Sequence, residues 1–136
     1  MLSPTRLRRI RAPLRWLPVV AWAALIFAFS ATPNLRFVAT DWVDFVVRKA
    51  GHMFAFGVLA VLLWRALDGV TPQPRLAWAW ILAVAYAATD EFHQSFTAGR
   101  HMSVQDVAID ATGAMIGLAA LWVFLRVWRS RTAAKP

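Results

Sequence analysis

The chain has 136 residues, of which 60% are hydrophobic, and it carries a net charge of +8 with no cysteine. A soluble domain averages about 45–50% apolar residues, so this excess, gathered in long blocks, indicates an integral membrane protein. The lack of cysteine excludes a disulfide scaffold, a thiolate nucleophile and a cysteine-ligated metal. Because the basic residues gather in the two tails and one loop, we attribute them to membrane topology and anionic lipid, and we expect no nucleic-acid partner.

Four apolar segments predict an all-α, integral membrane four-helix bundle with up-down topology, in which residues 1–136 form a single domain. Pro18 falls near the first turn of the first span, where its missing N–H matters least. The arginine-rich start resembles a signal peptide, but no good cleavage site follows, and we interpret it as an uncleaved first span. The predicted spans cover about residues 14–31, 48–66, 76–94 and 103–128.

The link between the first two spans is longer than the others and contains a helix signal. Thr40 and Asp44 have the form of a capping box, with Thr40 as the N-cap. Trp42, Phe45 and Val46 follow at helical spacing. We therefore expect a short helix that either lies at the membrane interface or leads directly into the second span.

Charge asymmetry predicts the orientation of the bundle. If the spans alternate in direction, eleven basic residues and one acidic residue fall on the side of the two tails. The opposite side then has four basic and six acidic residues. Because Lys and Arg collect in cytoplasmic loops, both termini are expected in the cytoplasm, and the acidic residues are expected to face outwards.

Rare polar residues collect at the predicted outer end of the spans, where each would be costly without a partner or a role. In span two, Lys49 and His52 are three residues apart on one helical face. Near the end of span three lie Asp90, Glu91 and Gln94. The up-down topology brings these two segments together with the end of span one and the start of span four, so we expect their side chains to surround one site.

Span four adds carboxylates and glycines to this pattern. Asp106, Asp110, Gly113 and Gly117 fall on one helical stripe. The two glycines allow another helix to approach closely, so the two carboxylates should face the same partner helix. Ser103 followed by Asp106 repeats a helix-capping signature at the start of this span.

The carboxylates of this end fit two kinds of chemistry. Asp90 with Glu91, and Asp106 with Asp110, offer oxygen ligands that suit Mg²⁺ or Ca²⁺, but their spacing matches no known ligand motif. The metal, and any cofactor, therefore stay unknown. Asp90, Glu91 and Asp106 are also candidate catalytic acids or bases, with His52 or His93 as the partner. His52 is itself a catalytic candidate, and Asp90 or Glu91 is its expected partner.

The cations and amides nearby predict binding of a phosphate-bearing substrate. The planar guanidinium of Arg100 suits a lipid phosphate or pyrophosphate, and Lys49 would contact the same group. Gln94, Ser103 and Asp110 are the further candidates for substrate binding.

A structural alternative applies to the same residues. Lys49 and Arg100 would then pair with carboxylates, Arg100 with Asp106 in particular, and would only lock the helix ends together. His93 and His101 are expected at the membrane interface in either case.

The order and spacing of these motifs resemble the VanZ-like family of small bacterial membrane proteins over about residues 16–125. Phe56 supplies an aromatic residue that accompanies the second motif. Asp110 departs from the family pattern, which usually has Asn there, and the added charge would alter metal affinity. The motifs are Ser30-x-x-Pro33, Lys49-x-x-His52, Asp90-Glu91-x-x-Gln94-x-Phe96, Arg100-x-x-Ser103-x-x-Asp106 and Gly113-x-x-x-Gly117.

The resemblance implies a role in the cell envelope, because the name-giving member is associated with low-level resistance to the glycopeptide teicoplanin. The resemblance supplies no mechanism. From the polar residues we expect a multi-pass protein of the bacterial cytoplasmic (inner) membrane that binds or modifies an anionic lipid, such as a phospholipid, or a lipid-linked wall intermediate. The alternative is a non-enzymatic structural or partner-binding protein whose charged cluster only stabilises the bundle. Catalysis and oligomeric state are both left open by the sequence.

Overall fold

The computed structural model describes residues 4–32, 39–69, 72–96 and 102–133. These ranges contain four α-helices in chain order, so the predicted all-α fold is confirmed. The helices are α1 (Pro4–Ser30), α2 (Asp41–Ala66), α3 (Pro72–Gln94) and α4 (Val104–Ala133).

Helix α2 is longer than the second predicted span, because the helix expected before that span is continuous with it. It begins at Asp41, and Thr40 is its N-cap residue. The predicted capping box is wrong, since the Thr40 side chain makes no capping hydrogen bond. Asp44 lies four residues after Thr40, one position beyond the place from which an acid closes such a box.

Helix α1 extends before the first predicted span, so Pro18 lies well inside the helix. The prediction that Pro18 belongs to the first turn is therefore wrong. Proline is tolerated within membrane helices, where neighbouring helices and side chains satisfy the backbone groups that it frees.

Helices α2 and α4 are each long and apolar enough to cross a membrane. Helix α1 has a shorter apolar stretch, Leu14–Ser30. The apolar stretch of α3, Leu76–Ala88, ends where Thr89 and Asp90 begin the polar end of that helix. Length and composition thus support two spans, and the up-down arrangement of four spans with cytoplasmic termini stays a prediction.

Helix α2 is the centre of the fold, since it contacts α1, α3 and α4 and packs most extensively against α4. The glycines of α4 make this contact possible. A Cβ atom at Gly117 would lie 2.5 Å from the Gly57 carbonyl oxygen, and one at Gly113 would collide with the Met53 backbone. The predicted close approach along the Gly113 and Gly117 stripe is confirmed, and α2 is the partner helix.

The buried core combines large side chains of α2 with small ones of α3. Phe56 and Leu59 are among the largest fully buried side chains. Ala79, Ala83 and Ala87 are fully buried at four-residue spacing, which gives α3 one smooth face. Small residues on such a face let helices pack closely, and close packing is what joins helices in lipid.

Helix α1 is attached by two bonds from side chains to main-chain carbonyls. The Trp22 indole N–H donates to the Ala55 carbonyl of α2 at 2.9 Å. The Tyr86 hydroxyl of α3 donates to the Ala23 carbonyl at 2.7 Å. These bonds fix the rotation of α1 and so determine which residue of its last turn faces the bundle.

One end of the bundle, called the basic end here, carries an ion-pair cluster around Asp68. Arg15 of α1 pairs with Asp68 in the turn between α2 and α3. Arg75 of α3 reaches the same carboxylate at 3.3 Å, and its guanidinium lies 3.8 Å from the centre of the Trp64 ring. This is the end that charge asymmetry predicts to be cytoplasmic.

Candidate functional site

The opposite end, called the polar end here, brings together polar side chains from all four helices. The end of the first span was expected here with the other three, but the sequence analysis assigned no role to Ser30 of α1, although it lies in one of the family motifs. The polar end consists of Ser30, Lys49, His52, Asp90, Glu91, Gln94, Asp106 and Asp110.

Asp90 accepts hydrogen bonds from two side chains on a single carboxylate oxygen. The Ser30 hydroxyl donates to its Oδ2 at 2.7 Å, and the Gln94 amide donates to the same atom at 2.9 Å. Asp90 is only 2% exposed, and its Oδ1 has no hydrogen-bond partner among the described residues. The carboxylate thus joins the ends of α1 and α3 and keeps one buried oxygen unsatisfied.

Glu91 connects the end of α3 to the start of α4. Its Oε2 accepts a hydrogen bond from the Ser103 backbone N–H at 3.0 Å. The Ser103 hydroxyl in turn accepts from the Asp106 N–H at 3.2 Å, which confirms the predicted cap of α4. Glu91 is 1% exposed, so its carboxylate acts as a buried brace between the two helices.

His52 faces Asp110 across the α2–α4 contact. Its Nδ1 lies 3.4 Å from Asp110 Oδ1, and Asp110 is 1% exposed. The prediction of Asp90 or Glu91 as the first partner of His52 is wrong, because the glycine stripe brings α4 closer to α2 than α3 comes. Neither carboxylate oxygen of Asp110 has a hydrogen-bond partner among the described residues, so His52 meets it as a charge partner at most.

Lys49 and Asp106 form an ion pair at the surface of the polar end. Their side chains are 26% and 27% exposed, so both reach the molecular surface. The Lys49 ammonium also lies 5.4 Å from the centre of the Phe45 ring. The partner of Asp106 in this structure is therefore Lys49, and the predicted roles of Arg100 and His101 lie outside the described residues.

The polar end has two layers that differ in access. Asp90, Glu91 and Asp110 are almost fully buried and already make contacts that hold helices together. These residues are suited to position other groups rather than to touch a substrate. The surface layer contains Lys49, His52 and Asp106, each about a quarter exposed.

The formal charges of the polar end are unbalanced. Four carboxylates face one lysine and one histidine across these two layers. Even so, among the part of the chain that the structure describes, no group of three or more His, Asp or Glu side chains is arranged to hold a metal ion. The divalent-cation hypothesis therefore gains no support from the described geometry.

Two further residues near this end also make contacts. The His93 ring packs against Phe27 of α1, with ring centres 4.1 Å apart. Asp44 is 2% exposed and pairs with Arg48 at 3.0 Å. Sequence patterns missed the burial of Asp44, because an acid in the first turn of a helix is ordinarily solvated and favoured by the helix dipole.

Large apolar side chains are exposed in the turns next to the polar end. Each is more than half exposed, and they lie at the start of α2, at the end of α3 and at the start of α4. Aromatic side chains of this kind are enriched where membrane proteins meet the membrane–water interface. The residues are Trp42, Phe45, Phe92, Phe96, Met102 and Val104.

Comparison with known proteins assigns the family. No curated protein and no solved structure matches the chain. The model of the VanZ/LLP1 family matches residues 5–126, a range that includes every residue of the polar end. The resemblance drawn from the motifs is confirmed by this match, and the chain belongs to the VanZ/LLP1 family.

Proposed function

We propose that this protein binds the phosphate-bearing headgroup of a lipid, or of a lipid-linked envelope intermediate, at its polar end. It does so as a multi-pass protein of the bacterial cytoplasmic membrane, with the polar end at the outer leaflet. Membership of a family of membrane-associated proteins and two helices able to span a membrane support this setting. The charge asymmetry of the chain supports the orientation.

The observation that carries the proposal is the surface layer of the polar end. Lys49, His52 and Asp106 are partly exposed, yet large apolar side chains are exposed in the turns next to them. Ionisable groups at the edge of a membrane are costly unless they pair, meet water or serve a function. A headgroup at this depth would meet Lys49 as a donor to its phosphate.

The excess of carboxylates over basic side chains at the polar end indicates which kind of headgroup it would bind. A purely anionic headgroup would be repelled by the carboxylates around Lys49. A headgroup that carries an ammonium beside its phosphate would pair with both signs, and the ammonium would approach Asp106. The site therefore favours a zwitterionic or amine-bearing lipid over a simple anionic one.

The experiment compares lipid retention in two matched ion pairs. Lys49→Gln removes the cation of the polar end, and Arg15→Gln removes a similarly exposed cation from the basic end. An exposed pair contributes about 0–1 kcal/mol, so both variants should fold. Native mass spectrometry of the detergent-purified protein then counts the phospholipid that remains bound.

Lys49→Gln is expected to retain several-fold less phospholipid than the wild type, whereas Arg15→Gln should retain the normal amount. Equal retention in the two variants would overturn the proposed headgroup site.

A structural brace is the second candidate, and the burial of Asp90, Glu91 and Asp110 favours it. In that case the polar end would exist to hold four helix ends together, and lipid would not recognise it. If the polar end has only this structural role, each variant of its residues should lose stability in proportion to any loss of function. The headgroup site predicts that variants of the surface layer lose binding while they stay folded.

A further inference from the structure

A narrow apolar groove follows the contact between α2 and α4. Its volume is about 340 Å³. The wall formed by α2 extends from Met53 to Leu62, a length of about 14 Å along a helix axis. Among its lining residues are Met53, Gly57 and Val61 of α2 and Gly113, Ile116 and Gly117 of α4.

The glycines explain why this contact contains a groove. Gly57, Gly113 and Gly117 bring the two backbones together and leave no side chain to fill the space above them. Phe54 and Ile116 stand at the edges, and both are more than half exposed. The groove is therefore open towards the surroundings of the helices.

The groove begins close to the surface layer of the polar end. Met53 follows Lys49 by four residues on α2, a rise of about 6 Å. On α4, Gly113 follows Asp106 by seven residues, a rise of about 10 Å. If a molecule binds with its polar head at Lys49, the apolar part attached to that head would therefore lie in the groove.

We propose that this groove holds one alkyl chain of the lipid whose headgroup lies at Lys49 and Asp106, a proposal that rests on the proposed function above. The residues that line the groove are apolar or glycine, and Met53, at its start, lies one helical turn from Lys49. Lys49, Met53, Gly57 and Val61 are spaced by four residues along one side of α2, so a lipid whose head lies at Lys49 has the groove beside its chain. The proposed occupant is therefore a single lipid chain.

The site would select ligands by their chain as well as their headgroup. Only a lipid that can extend one straight chain along α2 and α4 would fill the groove. The remaining chain would stay in the bilayer. Such a ligand is a phospholipid or a lipid-linked intermediate, and a free headgroup alone would bind weakly.

The test fills the groove with a large side chain. Ile116→Trp occupies it, and Met115→Trp adds the same side chain to the neighbouring, equally exposed position that does not line it. Val58→Trp fills the groove from the opposite wall and guards against a defect peculiar to one variant. Thermal unfolding in detergent establishes that all three are folded.

The probe is a phosphatidylethanolamine whose chain carries a photoactivatable diazirine, incorporated with the purified protein into lipid nanodiscs. In the wild type, cross-links are expected on Met53, Val61 and Ile116. Both groove-filling variants should lose cross-linking at Met53 several-fold, whereas Met115→Trp should retain it. Equal cross-linking at Met53 in all variants would overturn the proposal.

The same assay separates this proposal from the proposed function. If Lys49→Gln cross-links normally but Ile116→Trp does not, the groove is a chain site and the headgroup assignment fails. If Lys49→Gln loses binding but Ile116→Trp does not, the headgroup site stands and the groove proposal fails.

Discussion

Gly117→Ala should weaken the bundle by an amount that the structure defines. The new Cβ would lie 2.5 Å from the Gly57 carbonyl oxygen and 2.7 Å from the Gly57 Cα, whereas ordinary contacts begin near 3.4 Å. Both obstructing atoms belong to the backbone, so a rotamer change cannot relieve the clash and α2 must move away from α4. Overpacking of this kind costs about 1–3 kcal/mol.

Gly51→Ala provides the matched control for this substitution. Gly51 also lies within a helix, but no atom of a neighbouring element lies within 4 Å of the place that a Cβ would take there. Both substitutions gain about 1 kcal/mol of helix propensity, so the difference between them isolates the packing cost. Gly117→Ala should therefore be less stable than Gly51→Ala by about 1–3 kcal/mol.

The assay is reversible unfolding in mixed detergent micelles, followed by far-ultraviolet circular dichroism. Gly117→Leu should exceed the effect of Gly117→Ala, because it places more atoms against the same backbone. If Gly117→Ala and Gly51→Ala unfold at the same denaturant concentration, the close α2–α4 contact is refuted. The alignment of Asp110 with His52 would then lose its structural basis.

Two further predictions concern the polar end, and a third concerns the orientation of the bundle. Ser30→Ala removes a donor to the buried Asp90 carboxylate and should cost about 1–3 kcal/mol in the same unfolding assay, and an unchanged midpoint would count against the α1–α3 link. Glu91→Ala should lower the free energy of unfolding by a similar amount, because the Ser103 N–H loses its acceptor. Glu91→Gln should lower it less, because its amide oxygen can still accept that hydrogen bond. Equal losses in the two variants would contradict the role of Glu91 as the acceptor that joins α3 to α4. A reporter active only in the periplasm should be active when inserted near Asn34 and silent when fused after Pro136, and the reverse pattern would invert the orientation.

Much of the fold was predictable because its signals are periodic and local. Apolar blocks predicted the helices, and the four-residue spacing of Gly113 and Gly117 predicted a close helix contact. Ser103 capping Asp106 was predictable because a cap involves residues that are near in sequence. The sequence left two alternatives for the segment that begins at Asp41: a separate helix at the membrane interface, or a helix continuous with span two. Its amphipathic start is compatible with both, and the structure has the continuous helix.

The pairings across helices were not predictable in the same way. Periodicity identifies which face of a helix is polar, but it does not fix the rotation or the vertical offset of a neighbouring helix. A shift of one residue turns a side chain by about 100°. For this reason Asp110, and not Asp90 or Glu91, is the first partner of His52.

Ser30 illustrates a second limit. The up-down topology predicted the end of span one at the same end as the end of span three, but it did not show that Ser30 faces Asp90. The bonds from Trp22 and Tyr86 fix the rotation of α1, and both depend on tertiary packing. The sequence signal at the residue itself was its place in the Ser30-x-x-Pro33 motif.

The most direct test of the headgroup site exchanges the charges of its surface pair. The double variant Lys49→Asp with Asp106→Lys keeps an ion pair between α2 and α4 but moves the cation to the other helix. Thermal stability and retained phospholipid are measured on the same purified samples of the double variant, the two single variants and the wild type. If the polar end recognises a headgroup, the double variant should regain the stability of the wild type and still retain several-fold less lipid; recovery of both properties together would contradict the headgroup site and leave the polar end as a structural brace.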